Sequence, residues 1–376
     1  MFLALSFVSL LAAATLSEAI IPNGSFNLTS FKIDLNKLVG STRLPKKALY
    51  PNAGPDKGIQ LDFLRKLQTE WLEIFDWEAQ QAELNQFEQY TAVIEGQTVH
   101  FVHEKSDDAD AIPVILLHGW PGSFHEFVPV IKPLTQSWKS AMGKKISYNV
   151  VVPSLPEFVF SSAPPENWTV EDTARIYNTL MTEVLGYSTF AVHGTDWGCA
   201  VGYSLYSSFN TTRLPTIILL YELRFTEWST IGNSYFTEQA NKPDDIGLAL
   251  YDSPVGQLAW IGGNFKLCTP PSVLNNTAIL TSVSLYYLTE SFLSSVWIYA
   301  QNPNGFRTVY TKADTDAPML FSQYEYNIGF WPEEYVAKVG NLVSYKVHDF
   351  GGHFAGLDNP PALIEDIREM GTYFST

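Results

Sequence analysis

Gly194-Thr195-Asp196-Trp197-Gly198 lies between an apolar, β-branched run and a helical pattern. This is the G-x-X-x-G spacing of a strand-to-helix elbow, whose glycines permit a sharp turn and whose central side chain stands clear of the sheet. The central residue here is Asp, where esterases carry Ser. A carboxylate oxygen can attack an sp³ carbon and leave an ester, which water then opens at the carbonyl. The first step needs a strained or good leaving group on carbon, as in epoxides or haloalkanes. An Asp after a strand also has a purely structural use, capping a helix N-terminus.

A second motif, His118-Gly119-Trp120-Pro121-Gly122, follows the run PVILL. Beside an elbow, such a loop supplies one oxyanion-hole amide and the residue after the nucleophile supplies the other. The donors are expected to be the backbone N–H groups of Trp120 and Trp197, with Pro121 fixing the chain beside Trp120. A plain turn is the structural alternative. His353, in DFGGHF after the last strand, completes the chain order nucleophile, acid, base. Among the other histidines, His348 is the one rival base. His100 and His103 read as structural, and His118, His125 and His193 as rings bonded to backbone.

These residues need a sheet to gather them. PVILLHG, YNVVVPSLP, STFAVHG, PTIILLYE, PMLFSQY and LVSYKVHD read as strands. Continuous β-branched runs separated by helical segments indicate a mostly parallel sheet with both faces covered. Residues 20–105 form an N-terminal segment with an amphipathic helix near 59–75, whose apolar face is Leu61, Leu64, Leu67, Trp71, Leu72 and Phe75. A hairpin over 91–105 turns at Glu95-Gly96. The core then occupies 106–222 and 311–376, and the aromatic, proline-rich stretch 223–310 reads as an inserted cap.

The totals narrow the function classes. The net charge of −16 argues against nucleic acid or an anionic membrane as partner. Residues 2–16 are apolar and uncharged, and small residues at 17 and 19 place a signal-peptide cleavage after Ala19. The expectation is therefore secretion, with an endoplasmic-reticulum membrane anchor as the rival. A run this short falls below the ~20 residues of a span. Asn23, Asn27, Asn167, Asn210 and Asn275 head N-x-S/T sequons and become glycan acceptors in that context. Of the two cysteines, Cys199 is expected to pack behind the elbow as a buried thiol, with a bridge to Cys268 the alternative. No metal-ligand cluster or dinucleotide fingerprint occurs, so no cofactor is implied.

Taken together, the motifs resemble the microsomal-type epoxide hydrolases, including their fungal and juvenile-hormone branches. The resemblance spans nearly all of the mature chain and rests on DWEAQQAELNQF, HGWPGSFHEF, DTARIYNTLM, YDSPVGQLAWI and GGHFAGLDNP. It implies an α/β-hydrolase fold with a helical cap, Asp196 as nucleophile and His353 as water-activating base. It also implies two cap tyrosines, Tyr235 and Tyr299, that donate to the epoxide oxygen. Their chemical use is clear, since ring opening generates an alkoxide that a phenol can stabilise or protonate.

Three features depart from the family pattern. The position of the acid that orients the base holds Asn327, which can hold an imidazole but lacks charge. Glu222, at the end of the strand after the elbow helix, is the first substitute, because some haloalkane dehalogenases carry their acid there. Glu325, two residues before Asn327, is the second. The cap entry from Glu222 to Tyr235 is short, which suggests a more open pocket. PSLPEFVFS lacks the usual glycines after PSLP, so its backbone is expected to differ locally. The competing functions are a haloalkane dehalogenase or other Asp-nucleophile hydrolase, and a non-catalytic secreted binder of apolar ligands.

Overall fold

The computed structural model describes residues 35–50, 57–209, 212–217, 232–267, 274–303, 311–328 and 331–374. Eight strands form one sheet: β1 (Gln89–Ile94), β2 (Gln97–Glu104), β3 (Ile112–Leu117), β4 (Tyr148–Pro153), β5 (Phe190–Gly194), β6 (Thr212–Ile217), β7 (Pro318–Tyr324) and β8 (Asn341–His348). Their order across the sheet is β1-β2-β4-β3-β5-β6-β7-β8. β2 runs antiparallel to β1 and β4, and the strands from β4 to β8 are mutually parallel. The β1–β2 turn falls at Glu95 (φ 51°) and Gly96 (φ 81°), the two left-handed residues that a tight hairpin of this twist requires.

The middle of the sheet is dry. Val114, Ile115, Leu116 and Leu117 of β3, Val150, Val151 and Val152 of β4, and Phe190, Ala191 and Val192 of β5 are fully buried. Helices cover the sheet on both faces, which is why these strands read as unbroken apolar runs. The N-terminal amphipathic helix is α1 (Leu61–Glu73), and it buries Leu64, Leu67 and Trp71. Between β6 and β7, the described residues hold five helices, among them α2 (Ser234–Asn241), α3 (Asn276–Leu288) and α4 (Phe292–Gln301).

Strand register places the chemistry. Leu117 pairs with Gly194, so β3 and β5 end together and the His118–Gly122 loop lies beside the elbow. His348 pairs with Tyr324, so the loops after β7 and β8 leave the same sheet edge side by side. Those loops carry Asn327 and His353. The shared carboxyl edge of parallel strands is where an open α/β sheet places its ligand site.

The loop after β4 corrects one expectation. Glu157 (φ 80°) and Val159 (φ 48°) occupy the left-handed region that glycine favours. The loop therefore keeps a glycine-type backbone without glycine. Burial of Phe158 and Val159 holds it in place, together with a bond from Ser294 Oγ of α4 to the Glu157 carbonyl at 2.7 Å.

Candidate active site

Asp196 sits at φ 48°, ψ −126°, at the junction of β5 and the helix Trp197–Ser208. Strain of this kind in a non-glycine residue persists only where surrounding packing imposes it. Here the packing is backbone against backbone. A side chain on Gly194 would strike the carbonyl of Gly198, and one on Gly198 would strike the carbonyl of Leu117. A side chain on Gly119 would strike the Asp196 carboxylate itself. The Cys199 N–H donates to the Asp196 carbonyl at 2.8 Å and starts the helix. Cys199 is buried behind the turn as expected, with its thiol 3.1 Å from the Gly194 carbonyl. Cys268 lies outside the described residues.

The two carboxylate oxygens of Asp196 face different groups. The backbone N–H of Trp120 donates to Oδ1 at 2.9 Å. His353 Nε2 lies 3.3 Å from Oδ2. Both side chains are buried, at 9% and 5% exposure, so the pair interacts largely outside bulk water. The structure thus brings together Asp196, His353 and Trp120, with Trp197 next in the chain. The Trp120–Pro121 peptide bond is cis.

On the far side of the imidazole, Nδ1 lies 3.0 Å from Asn327 Oδ1. The Ile328 backbone N–H donates to the same Oδ1 at 2.9 Å. A backbone N–H only donates, so this amide atom is the oxygen, and the Nδ1 facing it carries a proton. Nε2 is thereby the ring nitrogen that faces Asp196 Oδ2. Of the alternatives weighed for the orienting residue, Asn327 is the one in contact with His353. Glu325 is solvent-exposed, and its backbone N–H donates to the His348 carbonyl. With both ring nitrogens of His353 engaged by Asn327 and Asp196, Glu325 has no place on that ring. Glu222 lies outside the described residues.

Tyr235 of α2 and Tyr299 of α4 form an aromatic roof. Tyr235 stacks on Trp120 with ring centroids 5.2 Å apart. Tyr299 meets Trp120 and Trp197 edge to face at 5.9 and 5.1 Å. The two tyrosine rings are 6.1 Å apart. Both are buried, and their rings pack on Trp120, whose N–H holds Asp196, and on Trp197, the next residue in the chain.

The remaining histidines sort by their partners. His348 Nε2 lies 2.7 Å from the buried Asp366 carboxylate, whereas His353 is the histidine against Asp196. His100 bonds Ser154 and Gln89, and His103 bonds Tyr187. His118 faces the Gly119 carbonyl and accepts the Leu155 N–H, and burial holds it neutral by pushing its pKa down to about 4. Two expectations need correction. His125 meets the Ser282 hydroxyl rather than backbone. His193 makes no ring hydrogen bond among the described residues and packs edge-on against Phe127.

Three functional-site neighbours escaped the sequence reading. Glu126 is buried and accepts from Thr195 Oγ1 at 3.2 Å, one residue before Asp196. Burial drives its carboxyl well above the usual range, and the nearby Asp196 and Asp358 raise it further. Asp358 is buried five residues past His353. Tyr286 of α3 donates to the Gly122 carbonyl at 2.7 Å and ties that helix to the His118–Gly122 loop. Glu126 and Asp358 stand inside HGWPGSFHEF and GGHFAGLDNP, so motif membership was the available signal. Among the described residues no cluster suited to a metal ion occurs. Of the expected glycan acceptors, Asn167 and Asn275 are exposed, and Asn23, Asn27 and Asn210 lie outside the described residues.

Comparison with known proteins agrees with this geometry. A family model described as "Epoxide hydrolase N terminus" matches residues 28–127, and one described as "alpha/beta hydrolase fold" matches 112–245. The chain is 30% identical to "Epoxide hydrolase 1" of Oryctolagus cuniculus, over 82% of this chain and 80% of the relative. It is 31% identical to the solved structure of the Aspergillus niger epoxide hydrolase, with a TM-score of 0.79 over 90% of this chain and 92% of that one. The crystal structure of juvenile hormone epoxide hydrolase from the silkworm Bombyx mori matches with a TM-score of 0.81 at 25% identity, covering 92% of each chain. With the elbow, the roofed carboxylate and these relatives in agreement, the chain belongs to the epoxide hydrolase family of α/β hydrolases.

Proposed function

We propose that this protein hydrolyses an apolar epoxide to a vicinal diol through an ester on Asp196. The observation that carries the reading is the Asp196–His353 pair at 3.3 Å beneath the tyrosine roof. Asp196 Oδ2 attacks an epoxide carbon and the C–O bond to the ring oxygen breaks. The epoxide oxygen takes a proton from the Tyr235 and Tyr299 hydroxyls. Asp196 Oδ1, already held by the Trp120 N–H, becomes the ester carbonyl oxygen. His353 Nε2 removes a proton from water, and the hydroxide adds to the Asp196 carbonyl carbon. The Trp120 and Trp197 N–H groups receive the oxyanion. Collapse breaks the acyl C–O bond, the proton of the added hydroxyl goes to the departing alkoxide to give the diol, and the proton on His353 returns to the tyrosinate. The diol leaves with Asp196 Oδ2 as its second oxygen, and the oxygen of water replaces it in the restored carboxylate.

A haloalkane needs halide donors, and two phenols packed over Trp120 beside Asp196 suit an epoxide oxygen better. A binder of apolar ligands would have no use for a buried carboxylate, an imidazole and two phenols brought together, since idle buried polar groups are costly. The secretory route is part of the same reading. The apolar 2–16 run supports removal of residues 1–19, and the exposed Asn167 and Asn275 support glycan attachment. No helix among the described residues is long and apolar enough to cross a membrane.

The test is the intact mass of H353Q after exposure to an aromatic epoxide. The expected result is a gain of one substrate mass, mapped by digestion to Asp196. Unmodified protein with a series of epoxides, alongside an adduct with a haloalkane, overturns the epoxide reading.

A further inference from the structure

The Trp120 N–H lies 2.9 Å from Asp196 Oδ1, and something must hold it there. This N–H belongs to the peptide between Gly119 and Trp120. A trans peptide is planar, so its C=O and N–H point in opposite directions. On the N–H side a Cβ at Gly119 would strike Asp196 Oδ1, so the approach requires glycine. Glycine in turn leaves the peptide plane without the steric restraint that a side chain gives.

The restraint comes from the carbonyl side. His118 is fully buried, and its Nδ1 lies 3.1 Å from the Gly119 carbonyl oxygen. The Leu155 backbone N–H donates to its Nε2 at 3.1 Å. A backbone N–H only donates, so Nε2 carries no proton and Nδ1 does. Nδ1–H therefore donates to the Gly119 carbonyl. Three hydrogen bonds run in series, from Leu155 to the His118 ring, from the ring to the Gly119–Trp120 peptide, and from that peptide to Asp196. Phe158, in the same loop as Leu155, meets the ring edge to face at 5.2 Å.

We propose that, within the ester mechanism above, His118 is a positioning residue that aims the Trp120 N–H and strengthens it as the oxyanion donor.

An amide whose carbonyl accepts a hydrogen bond is polarised, and its own N–H then donates more strongly. The ring is kept neutral for this task. Burial pushes its pKa down to about 4, against the Gly119 bond and Asp196, which favour the charged form. The loop after β4 thereby gains a use for its glycine-type backbone: it presents the Leu155 N–H to one ring nitrogen and Phe158 to the ring edge. The two chemical steps depend on this series differently. Alkylation removes charge from the Asp196 oxygen that Trp120 holds, whereas water attack on the ester returns charge to it. A weakened Trp120 N–H therefore slows ester decay and not ester formation.

The experiment compares H118N and H118Q. Asn can place an amide N–H where Nδ1–H lies, and Gln reaches instead to the Nε2 position. Single-turnover traces with an aromatic epoxide follow formation and decay of the Asp196 ester separately, and thermal unfolding is measured alongside. In H118Q, decay is expected to fall about tenfold or more while formation stays within about threefold of the parent. H118N is expected to keep both rates within about threefold, whatever its Tm. Decay in H118Q within about threefold of the parent, or equal slowing in the two variants, overturns the proposal while the ester reading stands, since the adduct still forms. Should H118Q fail to fold, nitrogen NMR of the histidine-labelled parent decides, with His118 assigned by the signal missing from H118N. The Nδ1–H tautomer at neutral pH is expected, and the Nε2–H tautomer overturns the proposal. No adduct in either the parent or H353Q removes the ester reading and this proposal with it.

Discussion

Asn327 Oδ1 accepts two N–H groups at once, from His353 Nδ1 at 3.0 Å and from the Ile328 backbone at 2.9 Å. The backbone bond fixes which end of the amide faces the ring, and the ring proton follows from it. Orientation and tautomer of the base are thus set by a neutral group. In N327L the shape is kept and the acceptor lost. Ester hydrolysis is then expected to fall about a hundredfold, with a smaller effect on alkylation, because a base in the wrong tautomer cannot accept a proton at Nε2. Accumulation of the Asp196 adduct by mass spectrometry in N327L, under conditions where the parent shows none, is the check.

The elbow stores strain that can be measured without any substrate. At φ 48°, ψ −126° Asp196 adopts a conformation that costs a residue with a Cβ roughly 1–2 kcal/mol. D196A and D196G both lack the carboxylate and its bonds to Trp120 and His353. They differ by one methyl group, so their comparison isolates the backbone. D196G is expected to be the more stable by about 1 kcal/mol in urea unfolding, with both variants inactive. Equal stabilities mean that the turn is relaxed and the reading of strain is wrong.

How much of this was legible beforehand depends on the kind of contact. The strands were legible because β3, β4 and β5 are buried on both faces and so carry unbroken apolar runs. Asp196 and His353 were legible because each sits in a local motif at a strand end. Asn327 was located, but its role against Glu325 and Glu222 was not, since that choice depends on which side chain the loop after β7 turns toward the loop after β8. Glu126 and Asp358 were inside quoted motifs and still passed over. Their burial comes from tertiary packing, and spacing along the chain does not encode it. The conformation at Glu157 and Val159 was misjudged for a related reason: a left-handed φ without glycine is imposed by packing, here by Phe158 and by α4.

The tyrosine roof divides the two chemical steps. Tyr235 and Tyr299 share contacts with Trp120, and Tyr299 also meets Trp197. Phenol donors serve only the step in which the epoxide oxygen gains charge. Y235F and Y299F are each expected to slow ester formation by about ten- to a hundredfold, and the double variant by more than either. Decay of an ester already formed should change little. Single-turnover traces separate the steps, and slowing confined to ester decay would show that the tyrosines act on something other than ring opening.

Glu157 joins the strained loop to the cap helix α4 and gives stability a pH dependence of definite sign. Gln301 donates to its Oε1, while Gln301 Oε1 accepts the Trp168 N–H at 2.7 Å, which fixes the direction of that amide. Burial raises the Glu157 carboxyl well above its ordinary value of 4.5, and the Gln301 bond offsets only part of this. The folded state therefore holds a proton that the unfolded chain releases near 4.5. Its contribution is fully present below that pH and is lost progressively as pH rises through the higher folded value. Gln is nearly isosteric with the protonated acid and does not titrate. E157Q is expected to match the parent near pH 4.5 and to exceed it in Tm by several degrees at pH 8, a difference read directly by thermal unfolding at the two pH values. The same Tm difference at both values would mean that Glu157 does not titrate across this range and that the latch is held by shape alone.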